Sequence, residues 1–207
     1  IGAREDLVLP LRPEIIESLT HSLGDFSQLN HTWSVSRSEN TFKRLKKDKS
    51  EWYYYHSLYS EKRKEWDEIP YQEIAKDLKG RPDWIIADMG CGENLLSKEI
   101  ENKVYAFDYV ALEGEDVVEC DITNVPLDDN QVDAVVFSLS LMGSNHTDYL
   151  REGSRILKPY GSLFICEPKK KAESRMENLK KEIEDSGFKI IDIKPSSQFV
   201  YINAVKI

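Results

Sequence analysis

The sequence predicts an α/β fold: a mostly parallel seven-stranded sheet with helices on both faces, ending in an antiparallel hairpin and preceded by a helical cap. Three observations carry this. From residue 84 onward, short apolar runs alternate with helix-periodic ones, which implies parallel strands joined by crossover helices. The last two apolar runs, Phe188–Ile193 and Phe199–Val205, lie close enough in sequence to pair as a hairpin. Before residue 80 the periodicity is mainly helical.

Ile15, Ile16, Leu19 and Leu23 recur at helix spacing behind Pro13, a residue tolerated in a first turn, so Glu14–Leu23 is predicted as a helix. Ser38–Leu58 is predicted to hold one or two helices, and Tyr71–Leu78 another with Gly80 as its C′ residue. Gly80-Arg81-Pro82-Asp83 reads as a turn-forming linker that divides the chain into a cap and substrate-binding segment (1–80) and a core (81–207). In the core, Trp84–Met89 is strand one, Leu95–Ile100 a short helix and Val104–Asp108 strand two. Val117–Cys120 is strand three and Val132–Phe137 strand four. Asp148–Leu157 is a helix stopped by Lys158-Pro159 and Gly161, Ser162–Cys166 is strand five, and Lys170–Ser186 is one helix closed by Gly187.

At 207 residues the chain is long enough for one full domain with a small appendage, and 40% hydrophobic content is ordinary for a folded protein. It has no apolar run of membrane-spanning length and no signal-peptide pattern. The start at Ile1-Gly2, without Met, is expected of a piece cut from a longer protein. Cys91, Cys120 and Cys166 have no metal-ligand spacing, so no metal is expected and a reducing compartment is. The net charge of −9 argues against indiscriminate nucleic-acid binding, yet it is unevenly spread. Residues 35–66 carry nine basic and five acidic side chains, mostly through Lys43-Arg44-Leu45-Lys46-Lys47-Asp48-Lys49. That run is either a solvated helix face or, beside an active site, a phosphate-contacting patch.

Four features fall at the carboxyl ends of successive strands, where ligands dock on open parallel sheets. They are Asp88-Met89-Gly90-Cys91-Gly92, Asp108, Asp121-Ile122 and Ser138-Leu139-Ser140-Leu141. Glycines let backbone approach a ligand closely. Asp108 can accept from two ribose hydroxyls, Asp121 from an exocyclic amine, and the Ile122 N–H can meet a ring nitrogen. Singly, each has a plain reading as a turn or cap residue. Jointly they describe an adenosine site. It lacks a P-loop Lys-Ser/Thr and is crowded by acids, so a polyphosphate fits poorly, and a cationic adenosine ligand such as S-adenosylmethionine fits better.

With those motifs the sequence resembles the class I S-adenosylmethionine-dependent methyltransferases, a Rossmann-like fold. More closely, it resembles the nucleomethylin family of ribosomal-RNA-processing enzymes. The most specific stretches are Ser138-Leu139-Ser140-Leu141-Met142-Gly143-Ser144-Asn145 and Arg155-Ile156-Leu157-Lys158-Pro159; Tyr55-His56, Ile86–Gly92, Phe107-Asp108, Cys120-Asp121 and Gly187-Phe188-Lys189 agree. The likeness covers roughly residues 36–207, and the first thirty or so residues have no family counterpart. It implies methylation of adenine N-1 in large-subunit rRNA during ribosome biogenesis, a nucleolar location (cytoplasmic if the source is prokaryotic), nucleolar protein partners, and cofactor contacts at His56, Gly90, Asp108, Asp121, Ile122 and Ser138. Departures from the family pattern stand at Leu58-Tyr59, Glu93 and Tyr160.

Adenine N-1 carries an in-plane lone pair and needs no general base, so the want of an obvious catalytic dyad suits this reaction; no catalytic residue is assigned. Trp52, Tyr53, Tyr54, Tyr55 and Tyr59 are read either as stacking surfaces for rRNA beside the basic run or as packing of the cap. His146 is expected to be exposed and idle. The rival readings are a non-catalytic cofactor-binding scaffold in a chromatin or ribosome-assembly complex, and a small-molecule methyltransferase.

Overall fold

A computed structural model describes residues 7–207; the first six residues of the expected cap lie outside the described part. Five helices come first: α1 (Pro13–Leu23), α2 (Phe26–Val35), α3 (Ser38–Lys47), α4 (Ser50–Arg63) and α5 (Pro70–Lys79). The sheet follows with β1 (Ile85–Met89), β2 (Lys103–Asp108), β3 (Val117–Glu119), β4 (Val132–Ser138) and β5 (Leu157–Pro168), with α6 (Leu95–Glu99) and α7 (His146–Ile156) between strands. The chain closes with α8 (Lys169–Ser174), α9 (Met176–Asp185), β6 (Phe188–Pro195) and β7 (Phe199–Lys206).

The strand order is β3-β2-β1-β4-β5-β7-β6. β1 to β5 pair in parallel, whereas β7 runs antiparallel to both β5 and β6. The order reverses between β1 and β4, the switch point at which an open sheet leaves a crevice. One face of the sheet is covered by a core in which Phe137 and Ile165 meet Tyr149 and Leu150 of α7 and Leu179 and Ile183 of α9. On the other face Ile86 and Val136 meet Ile74 and Leu78 of α5 and Leu96 of α6.

The cap packs around a largely aromatic cluster that also takes in Val110 from the loop after β2. Trp52 and Tyr54 are fully buried, Tyr53 and Tyr55 nearly so, and Trp33 stacks on Tyr55 at 4.4 Å between ring centroids. These rings hold α4 against α1 and α2, so four of the five aromatic residues weighed as RNA-stacking surfaces are packing residues. Burial of each such side chain stabilises the cap by about 1.5–3 kcal/mol.

Three local expectations are corrected. Helix α2 was not anticipated; Asp25 caps it with a reciprocal pair of bonds to Gln28, the side chain of each accepting from the backbone N–H of the other. The single helix expected over Lys170–Ser186 breaks at Arg175 (φ −136°, ψ 20°), whose guanidinium is held by Glu182 and His146. Gly80 ends α5 in right-handed geometry (φ −74°, ψ −1°), so glycine's freedom is not used there.

Candidate active site

The chain leaves β1 at Met89 and turns through Gly90-Cys91-Gly92. Gly90 and Gly92 both lie in the left-handed region (φ +82° and +55°). A Cβ on Gly90 would stand 2.5 Å from the Ser140 Cβ, and one on Gly92 would stand 2.9 Å from His56 Cε1. The turn is therefore pressed between the loop after β4 and helix α4, and two glycines are what the space allows. The backbone N–H groups of Gly90 and Cys91 both donate to the Phe107 carbonyl, at 2.8 and 2.9 Å, which pins the turn to the end of β2.

Asp108, the last residue of β2, accepts from Gly92 N at 2.8 Å, Trp52 Nε1 at 2.8 Å and Tyr109 N at 2.7 Å. A carboxylate has about four acceptor places, and with the Val110 N–H also directed at it the protein's own donors take up most of them. Burial outweighs these bonds and holds its pKa above the usual range. Asp88 differs: it is 3% exposed, lines the same cleft, and has no hydrogen-bond partner among the described residues. Burial, and then the neighbouring Asp108, push it up to about 7. His56 is pushed down to about 3, chiefly by burial and secondarily by Arg63, so its imidazole is neutral.

The loop after β4 is fastened at several points. Leu139 takes a left-handed φ of +57°, costly for a side chain with a Cβ by about 1–2 kcal/mol. Its N–H donates to the Cys166 carbonyl at 3.0 Å, while Ser140 Oγ donates to the Met89 carbonyl at 2.5 Å. Tyr149 Oη donates to the Met142 carbonyl at 2.9 Å, and a Cβ on Gly143 would stand 2.3 Å from that hydroxyl. Asn145 reaches back to the cap, to Ser38. His146 is neither exposed nor idle. Its Nδ1 lies 3.0 Å from the Gly143 carbonyl and its Nε2 lies 2.9 Å from both Glu182 and Arg175, because α7 packs beside α9.

Between these walls lies a cleft of about 920 Å³, open mouth included. His56, Gly90, Asp108, Ile122 and Ser138 all line it. Asp121 does not: its oxygens accept from Thr123 N at 3.0 Å and Ser38 Oγ at 2.8 Å, and it faces a separate, shallower cavity beside Arg37 and Arg151. Asp88, Arg63 and Glu93 line the cleft although none was singled out as a candidate; Arg63 donates to Glu93 at 2.9 Å. Burial raises the thiols of Cys91 and Cys120, the latter to about 12, so neither is a thiolate at neutral pH.

The basic run divides by partner. Arg44 makes two 2.9 Å bonds to Glu51, which is 7% exposed, and Lys49 pairs with Glu119, so both are structural. Lys43, Lys46 and Lys47 are exposed. Lys46 Nζ lies 5.0 Å from the Phe42 ring centroid, and Phe42 stacks at 5.9 Å on Tyr109, a cleft-lining residue. Among the described residues, no group of His, Cys, Asp or Glu is placed to hold a metal ion, and no helix is long and apolar enough to cross a membrane.

This strand order, with a glycine turn and a cleft at its switch point, defines a class I methyltransferase fold. It is similar to a SAM-dependent methyltransferase from Aquifex aeolicus, with a TM-score of 0.54 at 20% identity over 66% of this chain and 89% of that one. The chain belongs to the nucleomethylin family within the S-adenosylmethionine-dependent methyltransferases: a family model described as "Hypothetical methyltransferase" matches residues 14–207. The match takes in α1 and α2, so the family extends further toward the start than the motifs reach. Ribosomal RNA-processing protein 8 of Rattus norvegicus is 39% identical over 153 residues, 71% of this chain and 32% of that protein. The 25S rRNA (adenine(645)-N(1))-methyltransferase of Schizosaccharomyces pombe is 33% identical over 185 residues, 83% of this chain and 58% of that protein. The chain thus spans about a third to three-fifths of the length of these relatives.

Proposed function

We propose that this chain binds S-adenosylmethionine in the cleft at the β1–β4 switch point and methylates N-1 of an adenine in large-subunit rRNA. The observation that carries the reading is a cleft at the switch point, lined by three carboxylates and built on a glycine turn. Asp88 in particular is an unpartnered acid that a cationic ligand would satisfy. The kinship with the fission-yeast adenine-N1 enzyme supports the substrate assignment.

When bound, S-adenosylmethionine supplies a methyl group on a cationic sulfur. The protein's part is placement. Asp108 accepts from the ribose, and Gly90 and Gly92 allow the backbone to lie against the ligand. His56 covers the turn as a neutral ring. Ile122 and Ser138 bound the adenine and reactive ends, while Asp121, held by Ser38, fixes the start of the Ile122 segment. The cap excludes water, and no group is required to remove a proton from adenine N-1. Residues 81–207 serve as the cofactor-binding core. Residues 1–80 serve as the cap, whose exposed Lys43, Lys46 and Lys47 contact rRNA phosphates beside the cleft. The target adenine enters unpaired or flipped, since base pairing hides N-1. The site of action is the nucleolus, among ribosome-assembly partners.

Calorimetric titration with S-adenosylmethionine tests the cofactor half: saturable binding is expected, with a loss of at least tenfold in Asp108→Ala. Transfer of labelled methyl to total rRNA tests the substrate half. Label in small metabolites alone would overturn it.

A further inference from the structure

The cleft contains three carboxylates, Asp88, Glu93 and Asp108, but among the described lining residues Arg63 is the one cationic side chain. His56, beside it, is neutral. Arg63 stands in the last turn of α4, is only one-fifth exposed, and uses a single N–H on Glu93, within the glycine turn. Four further guanidinium donors remain. A lone, partly buried arginine in an otherwise acidic cleft repels no cation strongly and attracts one anionic group. A polyphosphate would meet three carboxylates for each guanidinium, which disfavours it. The amino-acid end of S-adenosylmethionine has one carboxylate and one ammonium. Asp88, buried and unpartnered in the same cleft, matches the ammonium.

We infer that Arg63, held in place by Glu93, recognises the α-carboxylate of the methionyl end of the cofactor and is the residue that selects the intact cofactor over forms lacking that carboxylate. The inference rests on the S-adenosylmethionine reading of the cleft and adds a selectivity that reading does not require. Glu93 acts as a positioning residue: by occupying one N–H it orients the planar fork so that a paired edge is free for bidentate contact. The rival role for the pair is mechanical, fastening α4 to the glycine turn. A mechanical fastener would affect every ligand of the cleft alike.

The test is calorimetry on the full chain with two probes, S-adenosylmethionine and decarboxylated S-adenosylmethionine, which keeps the adenosine, sulfonium and ammonium. The wild type is expected to prefer the intact cofactor by about ten- to a hundredfold, the range of a charge-assisted contact. Arg63→Gln should bind intact cofactor more weakly by that factor and the decarboxylated form unchanged, so the preference collapses. Arg63→Gln leaves Glu93 without its partner. The double variant Arg63→Gln/Glu93→Gln removes that charge and should likewise show no preference. Survival of the preference in either variant, or an equal loss for both probes, would overturn the inference while leaving the cofactor reading standing. Failure of the wild type to bind either probe would overturn the cofactor reading and the inference with it.

Discussion

Asn145, near the end of the Ser138–Asn145 run, forms two hydrogen bonds to Ser38 at the start of α3, 107 residues earlier. Its Oδ1 accepts from Ser38 N and its Nδ2 donates to Ser38 Oγ, both at 2.9 Å, and that hydroxyl donates onward to Asp121 Oδ2 at 2.8 Å. Both Asn145 and Ser38 are buried. The most distinctive motif in the sequence is therefore a clasp as well as a wall. It joins the loop after β4, the end of β3 and the cap around one cleft.

Asn145→Ala should leave the Ser38 N–H and the Asp121–Ser38 bond without support inside the protein. Loss of two buried hydrogen bonds, one donor then being unsatisfied, is expected to cost about 2–3 kcal/mol. Urea denaturation checks this, and a cost under about 0.5 kcal/mol would mean the clasp is solvated.

Gly92→Ala should abolish measurable cofactor binding, because the new methyl meets His56 Cε1 at 2.9 Å and φ is +55°. The double variant Gly92→Ala/His56→Ala removes the collision but not the backbone strain. Titration should show partial recovery, and additive losses would place the cause elsewhere.

Asp88 carries the clearest pH dependence. Its folded pKa of about 7 lies above the ordinary 3.8, so between those values the folded protein holds a proton the unfolded chain has released. Its contribution to stability is thus fully present below about pH 4 and lost as pH rises to about 7. Cofactor affinity should run the other way, weakening below pH 7 where a cationic ligand must displace that proton. Asp88→Asn should flatten both profiles, measured by denaturation and titration from pH 5 to 8. Unchanged slopes would assign them to other groups.

Lys46→Glu/Lys47→Glu should weaken rRNA binding and lower the slope of log affinity on log salt by about 1.4, at about 0.7 per lost single-strand phosphate contact. Cofactor affinity should be unchanged. Arg44→Ala in the same run should instead destabilise the fold by about 1–2 kcal/mol, since it removes two charge-assisted bonds to Glu51 while Trp33 Nε1 still donates to that carboxylate. Filter binding across a salt series separates the two effects.

The strands were legible because their apolar runs are short, branched and followed by turn residues; Ile85–Met89 and Val132–Ser138 fall within a residue of their expected limits. Helix α2 was not, because only Leu29 and Trp33 mark its buried face, although Asp25 and Gln28 at capping-box spacing offered a signal. The break at Arg175 has no proline or glycine to announce it and depends on partners in α7 and α9. Gly90 and Asp108 fall at the strand ends where the sequence puts them, and the structure sets both on the cleft wall. The unpartnered burial of Asp88 between β2 and β4 was not readable there, nor the pairing of Arg63 with Glu93, which depends on how α4 lies across the turn. Asp121 lies after β3 as expected, but its side chain bonds to Ser38 of the cap and lines the neighbouring cavity.

The central claim is tested most directly on rRNA itself, by primer extension on large-subunit rRNA from cells with and without this protein. N-1 methylation blocks base pairing, so the account predicts one strong stop at a single adenine that disappears without the protein. The stop should return with the wild-type chain and not with Gly92→Ala. Identical stop patterns in the presence and absence of the protein would contradict the account.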